Sequence, residues 1–322
     1  MTAAAAGRAG LTPLRAGKLG LLVFLLVALP GLIGVPYVTS VFISALMFGL
    51  FGAIYDLMIG YAGLSNFGFA GFLAIGAYTS ALGAVHYGIS PWLGLLLGGL
   101  LSAAAGLFTG VITLRLRGLY LGLITWFVGE AIRFSISNTP GYTRGVLGLS
   151  VPPFPDVLGI DFSRGGNGLS YYYLLLLLGA VIMAAMQLLV RSRIGLAFKA
   201  IKEDQLATES LGLNATLYKL INFVAAMFFA GVMGAFYAHY LGILTPTPEE
   251  FGVPRTVEIL TLAYVGGRGT LWGALFAAFL LIGFEEYFRS LGAYRLVIFG
   301  VLLIVVMIFA RKGLAGLKRF LW

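Results

Sequence analysis

The run Tyr171–Val190, YYYLLLLLGAVIMAAMQLLV, is twenty residues long and carries no charge. A helix needs about 20 mostly apolar residues to cross the hydrocarbon core of a bilayer. A strand of a membrane barrel would instead alternate apolar and polar positions over ~10 residues. This run does not alternate, so it reads as a helix whose backbone groups are satisfied within the segment. The rest of the chain repeats the pattern. Of 322 residues, 60% are hydrophobic and 10% charged, whereas soluble domains carry about 25% charged residues. A soluble core cannot absorb that much apolar surface. The chain is therefore read as all-α: a polytopic helical membrane protein of about 8–10 transmembrane segments, at least one of them broken or half-spanning.

Working outward from that run, further spans are predicted at 19–36, 38–59, 62–85, 91–114, 118–136, 219–240 and 292–310, with the first run itself at 169–190. A positively charged start (Arg8, Arg15, Lys18) resembles a signal peptide. The apolar run after it continues to Tyr37 without a small-residue cleavage site, so it is kept as a span. Residues 255–288 are apolar but interrupted by GGRGT at 266–270. Too few residues precede the break to span alone, which predicts a half-helix or a tilted, broken span. Irregular backbone at that depth must be covered by protein or line a wet cavity.

Lys and Arg number 21 against 12 Asp and Glu, for a net charge of +9. In a soluble protein that excess would suggest nucleic acid. Here the basic residues cluster at the N-terminus, at 115–117, at 191–202 and at 311–319, and counting spans puts all four clusters on one side. The positive-inside rule makes that side cytoplasmic. Residues 1–18 and 311–322 are then cytoplasmic tails flanking a transmembrane domain, 19–310, and the loops at 137–168 and 241–254 face outward. Cysteine is absent and there are two histidines, which argues against disulfides and thiolate or histidine-rich metal sites. No phosphate-binding loop, HExxH or GxSxG is present, so the chain is not read as an enzyme and no cofactor is expected.

The stretch 60–83, GYAGLSNFGFAGFLAIGAYTSALG, mixes small residues with Tyr61, Ser65, Asn66, Tyr78 and Thr79. Small residues let membrane helices approach closely, and most of these glycines are expected to be packing contacts. GLSNFG reads as a break that opens a helix. Ser65 or Asn66 would cap it, and a helix N-terminus at mid-depth is also a way to hold a carboxylate. Tyr61, Ser65, Asn66 and Tyr78 are therefore candidate path residues. Glu130 and Arg133, one turn apart, are either a structural ion pair or contacts for a zwitterionic solute. His239 is expected to be a satisfied interface histidine.

Residues 191–218 form the one substantial polar segment. Ile194, Ala197, Phe198 and Ile201 fall on one helical face. Asp204 is placed to cap a second short helix burying Leu206, Ala207 and Leu211. Gly212 would end that helix and Asn214 would start the next span. Acidic Glu203, Asp204 and Glu209 argue against a lipid-surface helix and for docking into a groove on a partner protein.

Four blocks, GLSNFGFAGFLAIGAYTSA (63–81), LRLRGLYLGLITWFVGEAIR (114–133), SRIGLAFKAIKEDQLATESLGLNATLYKL (192–220) and YVGGRGTLWGALFAAFLLIGFEEYFR (264–289), resemble in order those of the branched-chain amino acid ABC transporter permeases, nearest the LivM-like branch. The resemblance implies an ATP-driven importer of branched-chain amino acids or related small amino acids and amides, in a bacterial or archaeal cytoplasmic membrane. Its implied partners are a second homologous permease subunit, two ATP-binding subunits that carry the nucleotide, and an extracytoplasmic solute-binding protein. AIKEDQLATESLG is similar to the family's coupling motif, with Glu203 and Gly212 at its key positions. Phe198, Ile201, Glu203, Asp204, Leu211 and Gly212 are then expected to couple to the ATPase. Arg268 departs from the family, which commonly has an apolar residue there. The alternative is a stand-alone secondary transporter, for which paired Gly-interrupted segments near 60–70 and 264–273 would be the signature. A membrane enzyme or channel ranks last.

Overall fold

A computed structural model describes residues 31–288 except 33, 117, 158 and 164–167, together with 300 and 313. The spans expected at 19–36 and 292–310, and both tails, lie largely outside the described residues. Helix α1 (Pro36–Asp56) starts at a proline and continues into a wide π-turn, Leu57–Ala62. After it come α2 (Phe69–Tyr87), α3 (Pro91–Thr113), α4 (Leu119–Ser137) and α5 (Leu169–Arg191). Two short helices, α6 (Arg193–Glu203) and α7 (Gln205–Ser210), precede α8 (Ala215–Leu241). The described part ends with α9 (Val253–Gly266) and α10 (Trp272–Tyr287). Five of these stretches, Pro36–Ala62, Phe69–Tyr87, Pro91–Thr113, Leu169–Arg191 and Ala215–Leu241, are long and apolar enough to cross a membrane. The protein is a polytopic helical membrane protein.

The small residues explain how the bundle closes. Helices α2, α3 and α8 pack as a trio, and their backbones touch at Gly76, Gly98 and Gly231. A side chain at Gly76 would collide with the Gly231 backbone, and one at Gly231 with the Gly98 carbonyl and Ser102. Gly68 and Gly71 give α2 the same close approach to Gly129 on α4. Around these contacts, Phe72 and Phe223 meet edge to face at 5.8 Å, as do Tyr55 and Phe69 at 5.4 Å.

On the outer side, β1 (Leu149–Ser150) pairs antiparallel with β2 (Ile243–Leu244) and ties the long loop to the end of α8. His239 completes that tie. Its Nδ1 lies 2.7 Å from the Pro152 carbonyl and its Nε2 2.7 Å from Ser80 Oγ. The carbonyl can only accept, so Nδ1 carries a proton, and Nε2 shares a hydrogen bond with the Ser80 hydroxyl. This is the satisfied interface histidine expected from its position.

Two expectations need correction. The span placed at 62–85 starts at Phe69, because 63–68 is irregular and the π-turn uses up Leu57–Ala62. The second short helix does not bury Leu206, Ala207 and Leu211. All three are exposed, and its buried residue is Thr208. Periodicity identified an apolar face but not whether this chain covers it.

Candidate functional site

The end of the bundle that carries the 191–218 segment is built around the π-turn. A π-turn misaligns backbone carbonyls with the helix ladder, and two other helices supply the missing partners. Asn222 of α8 donates from Nδ2 to the Leu57 carbonyl (2.9 Å), and Lys202 of α6 donates from Nζ to the Gly60 carbonyl (2.7 Å). Lys199 sits 5.6 Å over the ring of Tyr61. Tyr61, a candidate path residue, thus lies against helix α6 of the 191–218 segment.

Helix α6 is capped by Ser192, whose Oγ accepts from the Ile194 and Gly195 N–H groups. It buries Ala197, Phe198 and Ile201 against the bundle. Asp204 then caps α7, accepting from the Ala207 N–H at 3.0 Å. Gly212 closes α7 with a positive φ of 86°, a conformation that disfavours any side chain. Asn214 caps α8 by accepting from the Leu217 N–H at 3.0 Å. Lys219 of α8 holds α7 in place by donating to Gln205 Oε1 at 2.7 Å. Glu203 and Asp204 remain exposed, and Leu206 and Leu211 stand into solvent at 63% and 84% exposure. The segment is fixed to the bundle on one side and presents unburied leucines and carboxylates on the other.

One turn deeper, the buried Asp56 ends α1 with its carboxylate against the loop that precedes α10. It accepts from the backbone N–H groups of Gly269 (2.8 and 3.0 Å), Thr270 (2.9 Å) and Leu271 (3.0 Å). Successive backbone N–H groups form an anion-binding concavity at the start of a helix, and here the anion is a side chain from another helix. Leu271 is held at φ 49°, outside the regions that residues with side chains prefer. The carboxylate therefore fixes a strained joint between the half-helices α9 and α10. The partners of Asp56 lie 213 to 215 residues away, and no local pattern announces them.

The remaining candidate residues fall in separate places. Asn66 is fully buried and accepts from the Gly68 N–H at 2.9 Å. The start of α2 is satisfied by its neighbours: Thr125 accepts from the Phe67 N–H (3.2 Å) and Thr256 from the Ala70 N–H (3.1 Å). Ser65 is half-buried. Tyr78 is buried against the ring of Phe251, with centroids 6.0 Å apart, and its hydroxyl has no hydrogen-bond partner among the described residues. Arg133 pairs with Glu130 at 2.7 Å and donates from a second nitrogen to the Pro246 carbonyl at 3.1 Å, tethering the outer loop. The Tyr78 and Glu130 regions are joined by the one-turn segment Pro248–Phe251 that leads into α9. On one side of it a cavity with room for about one water (10 Å³) is lined by Phe51, Tyr237, Glu250, Phe251 and Arg255.

Comparison with known proteins supplies the family. The model of the branched-chain amino acid transport system / permease component family matches residues 37–310. The chain belongs to this family. It is 34% identical over 284 residues to the high-affinity branched-chain amino acid transport system permease protein LivM of Salmonella typhimurium, and 33% identical over 284 residues to LivM of Escherichia coli K12. Each match covers 82% of this chain and 66% of the relative, so the chain spans just under two thirds of these relatives' length. LivH of Escherichia coli K12 is 29% identical over 138 residues, 42% of this chain and 44% of LivH. No solved structure matches. The family member described here is LivM-like.

Proposed function

We propose that the chain is a permease subunit of an ATP-driven importer for branched-chain or related small amino acids. It would pair with a second, homologous permease and stand on two ATP-binding subunits. A solute-binding protein would deliver from outside, and both tails, 1–18 and 311–322, would be cytoplasmic. ATP hydrolysis would occur on the partners. The observation that carries this reading is the α6–α7 segment. Its inner face is anchored by Phe198, Ile201 and Lys202, while Leu206, Leu211, Glu203 and Asp204 are exposed among the described residues. Exposed leucines beside carboxylates suit a groove on a partner better than an anionic lipid surface. The basic residues Arg191, Arg193, Lys199 and Lys202 at this end support the cytoplasmic orientation.

A secondary transporter would need an unpaired membrane carboxylate for ion coupling. Glu130 is paired with Arg133 and Asp56 with three backbone N–H groups, which weakens that alternative. The deciding experiment is gentle solubilisation of the tagged chain from its native membrane. Co-purification of two P-loop ATPases and a second permease, with ATP-dependent leucine uptake on reconstitution, supports the importer. Transport by the chain alone without ATP overturns it.

A further inference from the structure

Helix α9 shows a polar side to the outside of the described bundle. It packs on α1 at Gly52 through Ile259 and Leu262, on α2 through Thr256 and on α10 through Gly266. The Arg255 guanidinium lies 4.8 Å over the ring of Phe48. Phe48 is about 18 Å along α1 from Pro36 at a 1.5 Å rise per residue, close to the middle of a ~30 Å hydrocarbon core. At that level Arg255 and Glu258 form an ion pair of 2.7 Å with side-chain exposures of 19% and 41%. Arg255 reaches this pair from the inner side of α9, where it also lines the cavity with Phe51, Tyr237 and Glu250. The outward side carries Glu258, Val257, Thr261 and Tyr264, with Arg268 beyond the helix end and its guanidinium 4.9 Å over the Tyr264 ring.

The outward sides of other spans differ. α3 shows Leu93, Leu100 and Phe108, and α5 shows Leu177, Val181 and Leu188. Those surfaces suit lipid. A charged pair at mid-depth does not, because intramembrane charges face protein or a water-filled space. A short helix interrupted at GGRGT is likewise tolerated only where protein covers it or it borders a wet cavity.

We propose that the outward side of α9 lines the solute path, facing the second permease across water, with Arg255 and Glu258 offering a guanidinium and a carboxylate to a zwitterionic solute. An amino acid carries both charges, and a pre-formed pair can open to take its carboxylate and ammonium in exchange. Arg268 then lies on the path wall at the cytoplasmic end. The proposal rests on the importer reading and names the path within it.

The chain contains no cysteine, so single cysteines can be placed cleanly at Val257, Thr261 and Tyr264 in the assembled complex with cysteine-free partners. Phe108→Cys and Leu177→Cys serve as lipid-facing controls. A charged, membrane-impermeant methanethiosulfonate reagent is the probe. The α9 positions should react, the controls should not, reaction should stop leucine uptake, and leucine with the binding protein should slow it. Absence of reaction in both resting and ATP-loaded states means a dry contact and overturns the proposal. Reaction without loss of uptake overturns it equally. Glu258→Gln should raise the leucine KM roughly tenfold, the effect of losing about 1.4 kcal/mol of binding, with the ATPase rate unchanged. A parallel fall in uptake, ATPase rate and protein yield would mark a merely structural residue. If the cysteine-free parent transports without ATP, the importer reading fails, while the labelling pattern still reports whether α9 borders water.

Discussion

A single carboxylate holds the broken hairpin to the rest of the molecule. Asp56→Ala removes the acceptor of three backbone N–H groups, that of Leu271 buried and those of Gly269 and Thr270 partly buried, at roughly 1–3 kcal/mol for a buried group left orphaned, and releases Leu271 from its strained conformation. The detergent-solubilised variant should lose well over 10 °C of thermal stability or fail to assemble. A melting curve like the parent's would show that the joint does not depend on Asp56. At the glycine contacts, Gly231→Ala puts a methyl group against the Gly98 carbonyl and Ser102, and overpacking of this kind costs typically 1–3 kcal/mol. The same thermal measurement checks it, with Gly283→Ala, where a methyl meets open space, as the comparison.

The coupling segment makes its predictions as an element. Glu203→Lys reverses an exposed charge, and Gly212→Val forces a β-branched residue to φ 86°. Both should abolish uptake while leaving membrane insertion and yield intact. Leu206→Asp with Leu211→Asp should remove the ATPases from a pull-down without disturbing the bundle, because neither leucine packs on it. Lys202→Met keeps the aliphatic stem but loses the bond to the Gly60 carbonyl. The complex should then hydrolyse ATP at near the parent rate while uptake falls at least tenfold; equal loss of both would deny Lys202 a transmitting role. Much of this element was legible in the sequence. Asp204, Gly212 and Asn214 act on backbone groups within three residues of themselves, and such contacts leave a local pattern. Leu206 and Leu211 were misread because an apolar face does not say who covers it. The Asp56 joint and the Lys202–Gly60 bond were invisible for the opposite reason: each links residues more than a hundred positions apart. Arg255 and Glu258 went unremarked as a pair, because the i, i+3 spacing was visible but their depth was not.

At the scale of the molecule, the trio α2, α3 and α8 has backbones in contact at Gly76, Gly98 and Gly231, with little side chain between them at those points. Such an assembly moves as one block. The π-turn, the Asp56 joint and the half-helices α9 and α10 have irregular backbone and few residues per element, and conformational change is expected there. Hydrogen exchange on the complex should show slow amides across Gly76–Gly98–Gly231 in every nucleotide state. Residues 57–62 and 264–272 should change protection on ATP binding. Uniform protection across both regions would contradict this division.

The Asp56 joint also sets a timetable for biogenesis. The carboxylate leaves the ribosome 213 residues before the first amide it accepts from, a delay of about 10–40 s at 5–20 residues per second. During that interval α1 cannot settle with its charged end in lipid. It must wait near the membrane surface, or beside the insertion machinery, until the last hairpin arrives. Nascent chains halted before residue 269 should therefore leave Asp56 open to water-soluble carboxyl reagents, and chains halted well past α10 should not. Early protection would mean that another partner attends the carboxylate first.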